Sequence, residues 1–277
     1  MKDSRSLQAT ASARRSARGE GSAPRVLIAL ASVAVLFFLL PLMGLILRAP
    51  WGEIWERLTS SGALTALRLS LVVSISALVL ACVFGTPLAW VLARYEFPGR
   101  QFLRGIVLLP MVLPPVVAGV GLLTALGRRG IAGGLLEVLG ITLPFSTAGA
   151  VVAAAFVAAP FFIVTLEAAF TSVDVRVENA AATLGASRWM ILRTVTIPAV
   201  APSLGAGATL CWARALGEFG ATITFAGSLA GVTETGPIAV YSELQTGDFD
   251  GAILLSLVLL AISLSILTAL RGRIMAR

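Results

Sequence analysis

Histidine is absent from all 277 residues. Its absence removes imidazole metal ligands and histidine proton relays. Cysteine is nearly absent: Cys82 and Cys211 lie far apart, each inside an apolar run. Two such residues make neither a disulfide framework nor a metal-binding spacing. Charge is scarce, at 13% of residues, where a globular domain carries about 25%. The GxxxxGK[ST] phosphate cradle is missing. So are a nucleophile elbow and any acid–base pair suited to a soluble pocket, and the chain reads as no enzyme in its own right. The net charge of +7 is carried by arginines beside apolar runs rather than by a basic soluble domain, which excludes nucleic acid as the partner.

What the chain has in quantity is hydrophobic residues, 57% of the total. They cluster into six runs, at about 26–47, 63–93, 105–126, 148–170, 201–227 and 251–270. A helix needs about 20 residues to cross the hydrocarbon core, so each run predicts a membrane span. The expected fold is an all-α membrane protein of six transmembrane helices. Residues 1–25 hold six basic residues (Lys2, Arg5, Arg14, Arg15, Arg18, Arg25) and predict a disordered basic tail near anionic lipid. The run at 26–47 is too long for a signal peptide, whose apolar region is about 7–15 residues. With the N-terminus inside, the inner segments hold 15 Lys and Arg and the outer loops four (Arg48, Arg57, Arg128, Arg129). The positive-inside rule then puts both termini and residues 171–200 in the cytoplasm.

Span three contains Pro110, Pro114 and Pro115 together with Gly105, Gly119 and Gly121. Each proline removes a backbone donor. A broken helix in lipid must pack in protein or face water, so Pro114 and Pro115 are candidates for lining a bendable path. A kink with no such role is the alternative. Span five contains CWARALGEFGATITFAG. Four-residue spacing puts Arg214, Glu218 and Thr222 on one helix face, either as a stripe facing a path or as an internal ion pair. Gly217, Gly220 and Gly227 would permit close approach of a neighbour.

Between spans four and five runs ENAAATLGASRWMILRTVTIP. Thr171 with Asp174 fits a capping box before a helix reaching Leu184. Gly185 fits the left-handed position beyond the helix end. Ser187 caps a second short helix, RWMILRTV, which Pro198 is expected to close. Ala180, Ala181 and Ala182 leave a surface for close approach, and Trp189, Ile191 and Leu192 offer apolar contacts. An amphipathic helix on the lipid surface is the plain alternative.

This spacing resembles the cytoplasmic EAA loop of type I ABC-importer permeases. Ala180, Ala181, Gly185 and Pro198 fall in register, with Val195 and Ile197 as conservative stand-ins. Asn179 occupies the position where that family has Glu, and Glu178 lies beside it, about 100° round the helix. The resemblance implies that Glu178, Asn179, Ala180, Ala181, Gly185, Ser187, Arg188 and Pro198 form an ATPase-coupling loop within 171–200, part of a permease domain at 60–272. ARALGEFGAT resembles the fifth span of oxyanion permeases. The continuation through IAVYSELQTGDFDGAILLS is nearer the molybdate (or tungstate) type than the sulfate type.

The resemblance further implies a second, identical permease subunit, two cytoplasmic ABC ATPase subunits and an external oxyanion-binding protein, in a bacterial or archaeal inner membrane. No cofactor or metal is expected on this chain, because ATP and Mg²⁺ belong to the partner ATPase. Sulfate is the alternative cargo. An ion-coupled secondary transporter would need acidic relays across several spans, and only Glu218 lies deep in one, with Glu167 near a cytoplasmic end. A non-transporting scaffold would need neither the broken span nor the glycine elbow.

Overall fold

The computed structural model describes residues 25–275. The tail expected at 1–25 lies outside them, Arg25 excepted, and so does Arg277. Every regular element among the described residues is helical. The chain forms two units, Met1–Arg48 and Ala49–Arg277. The first is described by one apolar helix, α1 (Arg25–Arg48), of 24 residues.

The second unit runs through α2 (Ile54–Leu58), α3 (Ser61–Arg94), α4 (Arg100–Val112), α5 (Pro115–Leu126), α6 (Gly133–Val138) and α7 (Thr147–Ser172). It continues with α8 (Val175–Thr183), α9 (Arg188–Ile191), a π-turn (Leu192–Thr196), α10 (Ile197–Leu216), α11 (Gly220–Ala226), α12 (Gly236–Thr246) and α13 (Phe249–Met275).

The centre of the bundle is the contact between α3 and α7. Ala77, Ala81, Gly85 and Ala89 recur every four residues on α3, and all are buried. Ala150, Ala154 and Ala158 do the same on α7, continued by Phe162, Leu166 and Phe170. Residues four apart share a helix face, so two grooves of small side chains meet. A Cβ at Gly85 would lie 3.0 Å from Ile163 Cγ1 and 3.1 Å from Phe162 Cδ1. Helices in lipid gain little from hiding apolar surface from one another, so close packing through small residues holds them together. The opposite side of α3 exposes Val72, Ile75, Val79, Val83 and Phe84. That inside-out pattern suits hydrocarbon rather than water.

Among the described residues, five helical stretches are long and apolar enough to cross a membrane: Arg25–Arg48, Gly62–Arg94, Thr147–Ser172, Arg188–Leu216 and Phe249–Ile266. Two expected spans differ. The run at 105–126 is two helices, α4 and α5, divided at Leu113 and Pro114, both in extended conformation. Pro110 does not break α4, whereas Pro114 and Pro115 together do. The run at 201–227 ends as a helix at Leu216, and α11 restarts at Gly220. The segment between the expected fifth and sixth spans contains α12, with Ile238 and Ala239 buried.

Candidate functional site

Two places combine unusual backbone with charged side chains. The first is the segment between α7 and α10. Thr171 does not enter a capping box. It lies inside α7, and its hydroxyl donates to the Glu167 carbonyl at 2.9 Å. Asp174 alone is the N-cap of α8, accepting from Arg176 N–H at 2.8 Å. At the other end Gly185 has φ +88°. Its N–H donates to Ala182 O at 3.0 Å, and Ala186 N–H donates to Ala181 O at 3.1 Å. That pair of bonds is a Schellman motif, the left-handed helix end anticipated for this glycine. Ser187 caps α9 by accepting from Met190 N–H at 3.2 Å.

Pro198 does not close a second short helix. Arg188–Leu216 is one helical rod of 29 residues, about 43 Å long at 1.5 Å per residue. Pro198 has no N–H to give Thr194. The chain takes up the mismatch with the π-turn, where Ile197 N–H donates to Leu192 O, and then continues as helix. The side chains also divide differently from the expectation. Trp189 is exposed, but Ile191 is buried in the chain itself. Ala180 and Ala182 are exposed and Ala181 half-buried.

Glu178 is turned inward. Its Oε1 accepts from Arg94 Nη2–H at 2.7 Å and from the Thr196 hydroxyl at 2.7 Å. Nearby, Arg104 Nε–H donates to Glu167 Oε1 at 2.6 Å, and Arg100 Nε–H to Leu92 O at 2.8 Å. These links gather the ends of α3, α4, α7 and α8. Sequence reading missed them because the partners are 84 and 63 positions apart, with no local signal. Asn179, Ala182 and Arg188 line a cleft of about 430 Å³ over this cluster.

The second place is the break after α10. Arg214, Glu218 and Thr222 do not share a helix face, because the helix stops between them. The ion pair nevertheless forms: Arg214 Nη2 stands 2.6 Å from Glu218 Oε2, with side chains 29% and 2% exposed. It is a charge contact rather than an aligned hydrogen bond. Glu218 Oε1 accepts from Ala221 N–H at 2.8 Å and so caps α11. Thr222 is buried within α11.

The break between α4 and α5 lies against this one. A Cβ at Gly220 would sit 2.6 Å from Pro115 Cβ, and one at Gly119 would sit 2.5 Å from Thr224 Cβ. Thus Pro115, 105 positions before Gly220, is brought against it, two residues from Glu218. Gly220 gives the close approach expected of it. Gly217 meets only its own helix, whereas Gly227, which ends α11 at φ +76°, also gives close approach: a Cβ there would sit 3.0 Å from Phe145 Cδ1.

A multi-pass helical membrane protein with two adjoining helix breaks, a buried charge at one of them and a capped elbow at its edge has the architecture of a transport subunit. Residues 85–277 match the family described as binding-protein-dependent transport system inner membrane component, and the chain belongs to that family. It is 40% identical over 250 residues to the molybdenum transport system permease protein ModB of Mycobacterium tuberculosis, covering 90% of this chain and 94% of that one. It is 45% identical over 201 residues to the ModB of Escherichia coli, covering 72% and 88%. The sulfate transport system permease protein CysT of Escherichia coli is 36% identical over 235 residues, covering 84% and 85%. In fold it is similar to a chain of a bacterial ABC transporter involved in the import of the acidic polysaccharide alginate, with TM-score 0.71, 20% identity, and 91% and 95% covered.

Proposed function

We propose that the chain is the membrane-spanning subunit of an ATP-driven importer for molybdate or tungstate. The observation that carries the substrate is the likeness to molybdenum permeases, at 40% identity over nine-tenths of the chain, against 36% for the sulfate permease. Six crossings follow if α4 and α5 together make the third. The arginine asymmetry supports cytoplasmic termini and a cytoplasmic 171–198. Two copies, two ATPase subunits and an external binding protein complete the assembly.

The chain's own residues then have distinct tasks. Val177, Ala180 and Leu184 form an exposed face on α8, which receives the ATPase. The Schellman elbow joins α8 to the Arg188–Leu216 rod, and the rod ends at the break that holds Glu218. Movement of the elbow therefore reaches the break without crossing a flexible joint. Arg214 offers a partly exposed positive edge to a dianion, while Glu218 keeps that attraction weak enough for release.

The test is reconstitution with the ATPase and binding protein, measuring uptake of labelled molybdate and sulfate. Uptake of molybdate should require ATP, stop with vanadate and persist with ionophores. Tungstate should compete strongly and sulfate weakly. Uptake driven by an ion gradient without ATP overturns the reading, and preferred uptake of sulfate moves the assignment to the sulfate type.

A further inference from the structure

We propose that Arg94, Glu178 and Thr196 form a bolt that passes motion of α8 into the membrane helices, so that Glu178 is a positioning residue of the transport cycle and not a contact to the ATPase. The inference rests on the reading above, in which α8 receives the ATPase.

Three elements meet on one carboxylate oxygen. Arg94 is the last residue of α3, and its Nη2–H reaches Glu178 Oε1 at 2.7 Å. Thr196 closes the π-turn at the root of α10, is 1% exposed, and its hydroxyl reaches the same oxygen at 2.7 Å. The Arg94 and Glu178 side chains are 13% and 18% exposed. Both partners of Glu178 thus belong to this chain and lie away from solvent. The Oε1 oxygen is thus committed within the chain, which ties the carboxylate to α3 and to the rod.

The packing of α8 makes the bolt necessary. The helix contains no buried residue, so apolar packing does not seat it on the bundle. Its covalent ends are two short turns, the Asp174 cap and the Gly185 elbow. Charge-assisted hydrogen bonds with low solvent access are the strong and directional kind. Glu178 lies about 100° or more round the helix from Val177, Ala180 and Leu184. One face is therefore free to be pushed while the other is tied to α3 and to the rod. Without the tie, a push on α8 reaches the bundle only through those two turns.

The experiment uses the reconstituted transporter with its ATPase and binding protein. Four variants are compared with wild type: Glu178→Gln, Arg94→Gln, Thr196→Val, and the exchange R94E/E178R. Three quantities are measured per inserted permease: ATPase subunit retained, ATP hydrolysed, and labelled molybdate taken up. Glu178→Gln and Arg94→Gln should keep the ATPase subunit and hydrolyse ATP, with molybdate per ATP down at least tenfold. Thr196→Val keeps both charges and should fall between them and wild type. The exchange should recover at least a third of the wild-type ratio.

Loss of the ATPase subunit in Glu178→Gln but not in Arg94→Gln would make Glu178 a docking residue and overturn the bolt. So would an unchanged molybdate-to-ATP ratio in both, or an exchange no better than the single variants. Wild-type uptake in the same vesicles tests the underlying importer reading separately. Its failure is a failure of that reading and is visible before any variant is compared.

Discussion

Gly185 offers the sharpest test of the elbow, because the structure separates backbone cost from side-chain cost there. Its φ is +88°, and a Cβ built on it would meet nothing within 4 Å. The penalty for a larger residue is then purely conformational, about 1–2 kcal/mol for an L-residue forced into the left-handed region. Alanine and leucine share that backbone cost, and the open space at the β-carbon adds nothing to it. Asparagine tolerates the region and should cost less. If α8 must end in this geometry to seat the ATPase, 1–2 kcal/mol is a roughly fivefold to thirtyfold loss in apparent affinity.

The assay is titration of the ATPase subunit onto nanodisc-embedded permease, for wild type and for Gly185→Ala, Gly185→Leu and Gly185→Asn. Hydrogen exchange at the Gly185 and Ala186 amides, which are bonded to Ala182 O and Ala181 O, reports whether the motif has opened. Ala and Leu should be weakened alike and Asn less, with exchange following the same order. Leucine weakened far beyond alanine would mean a clash with something outside the chain, and the backbone argument would be refuted. Wild-type affinity in all three would remove the elbow from the coupling step altogether.

The two helix breaks make a second prediction. Gly220→Ala puts a carbon 2.6 Å from the rigid Pro115 ring, and overpacking of this kind costs about 1–3 kcal/mol. Thermal unfolding in detergent should show it, while Gly134→Ala, with open space at the Cβ, should not. Glu218→Gln strands Arg214; a fully buried pair would lose about 3–5 kcal/mol, and the 29% exposure of the arginine lowers the expectation to about 1–3 kcal/mol. The double change Arg214→Met with Glu218→Gln should recover part of that melting temperature. At the start of α13, Asp248 is held below the ordinary carboxylate range by the Gly251 N–H first and by Arg57 second. A lowered folded pKa means its contribution is whole above the unfolded value of about 3.9 and is lost as pH falls through the folded value. The stability advantage of wild type over Asp248→Asn should therefore be constant from pH 8 to 5 and vanish on further acidification, as read by melts across that range.

Long elements were legible because hydropathy and length decide them. The runs at 26–47, 63–93 and 148–170 became α1, α3 and α7 with ends shifted by only a few residues. The turn at Gly185 and the Ser187 cap were legible because their chemistry is local. What hydropathy does not see is a stop within an apolar run. LGEFG gave no warning that α10 ends at Leu216, since Gly217 permits the turn but the decisive act is Glu218 bonding Ala221 N–H. Pro198 misled for the opposite reason. A proline inside a helical rod is accommodated where the preceding turn can shift its bonds, and the π-turn does that. The Arg94–Glu178–Thr196 cluster was hidden by distance along the chain. The acids and bases were visible singly, and only the fold pairs them.

The charged pair in the apolar core follows from the break itself. Ending a helix inside a membrane leaves N–H groups with no partner, and each must be satisfied within the protein or by water. The two adjoining breaks meet that demand in different ways. At α5 two of the donors are removed, because Pro114 and Pro115 have no N–H to leave unpaired. At α11 the donors remain, and a carboxylate is supplied to accept one of them, Glu218 to Ala221 at 2.8 Å. That carboxylate is 2% exposed and would be costly without a counter-charge, which makes a cation four residues back on α10 a consequence of the cap rather than an independent feature. On this reasoning the internal ion pair and the path-facing stripe are not alternatives. Arg214 is required by Glu218, Glu218 by the broken backbone, and the arginine's exposed edge is the part that the proposed function assigns to the anion. A test follows from that order of dependence: replacing Glu218 should disturb α11, seen as faster exchange at the Ala221 amide, whereas replacing Arg214 should disturb that amide only to the extent that Glu218 loses its charge.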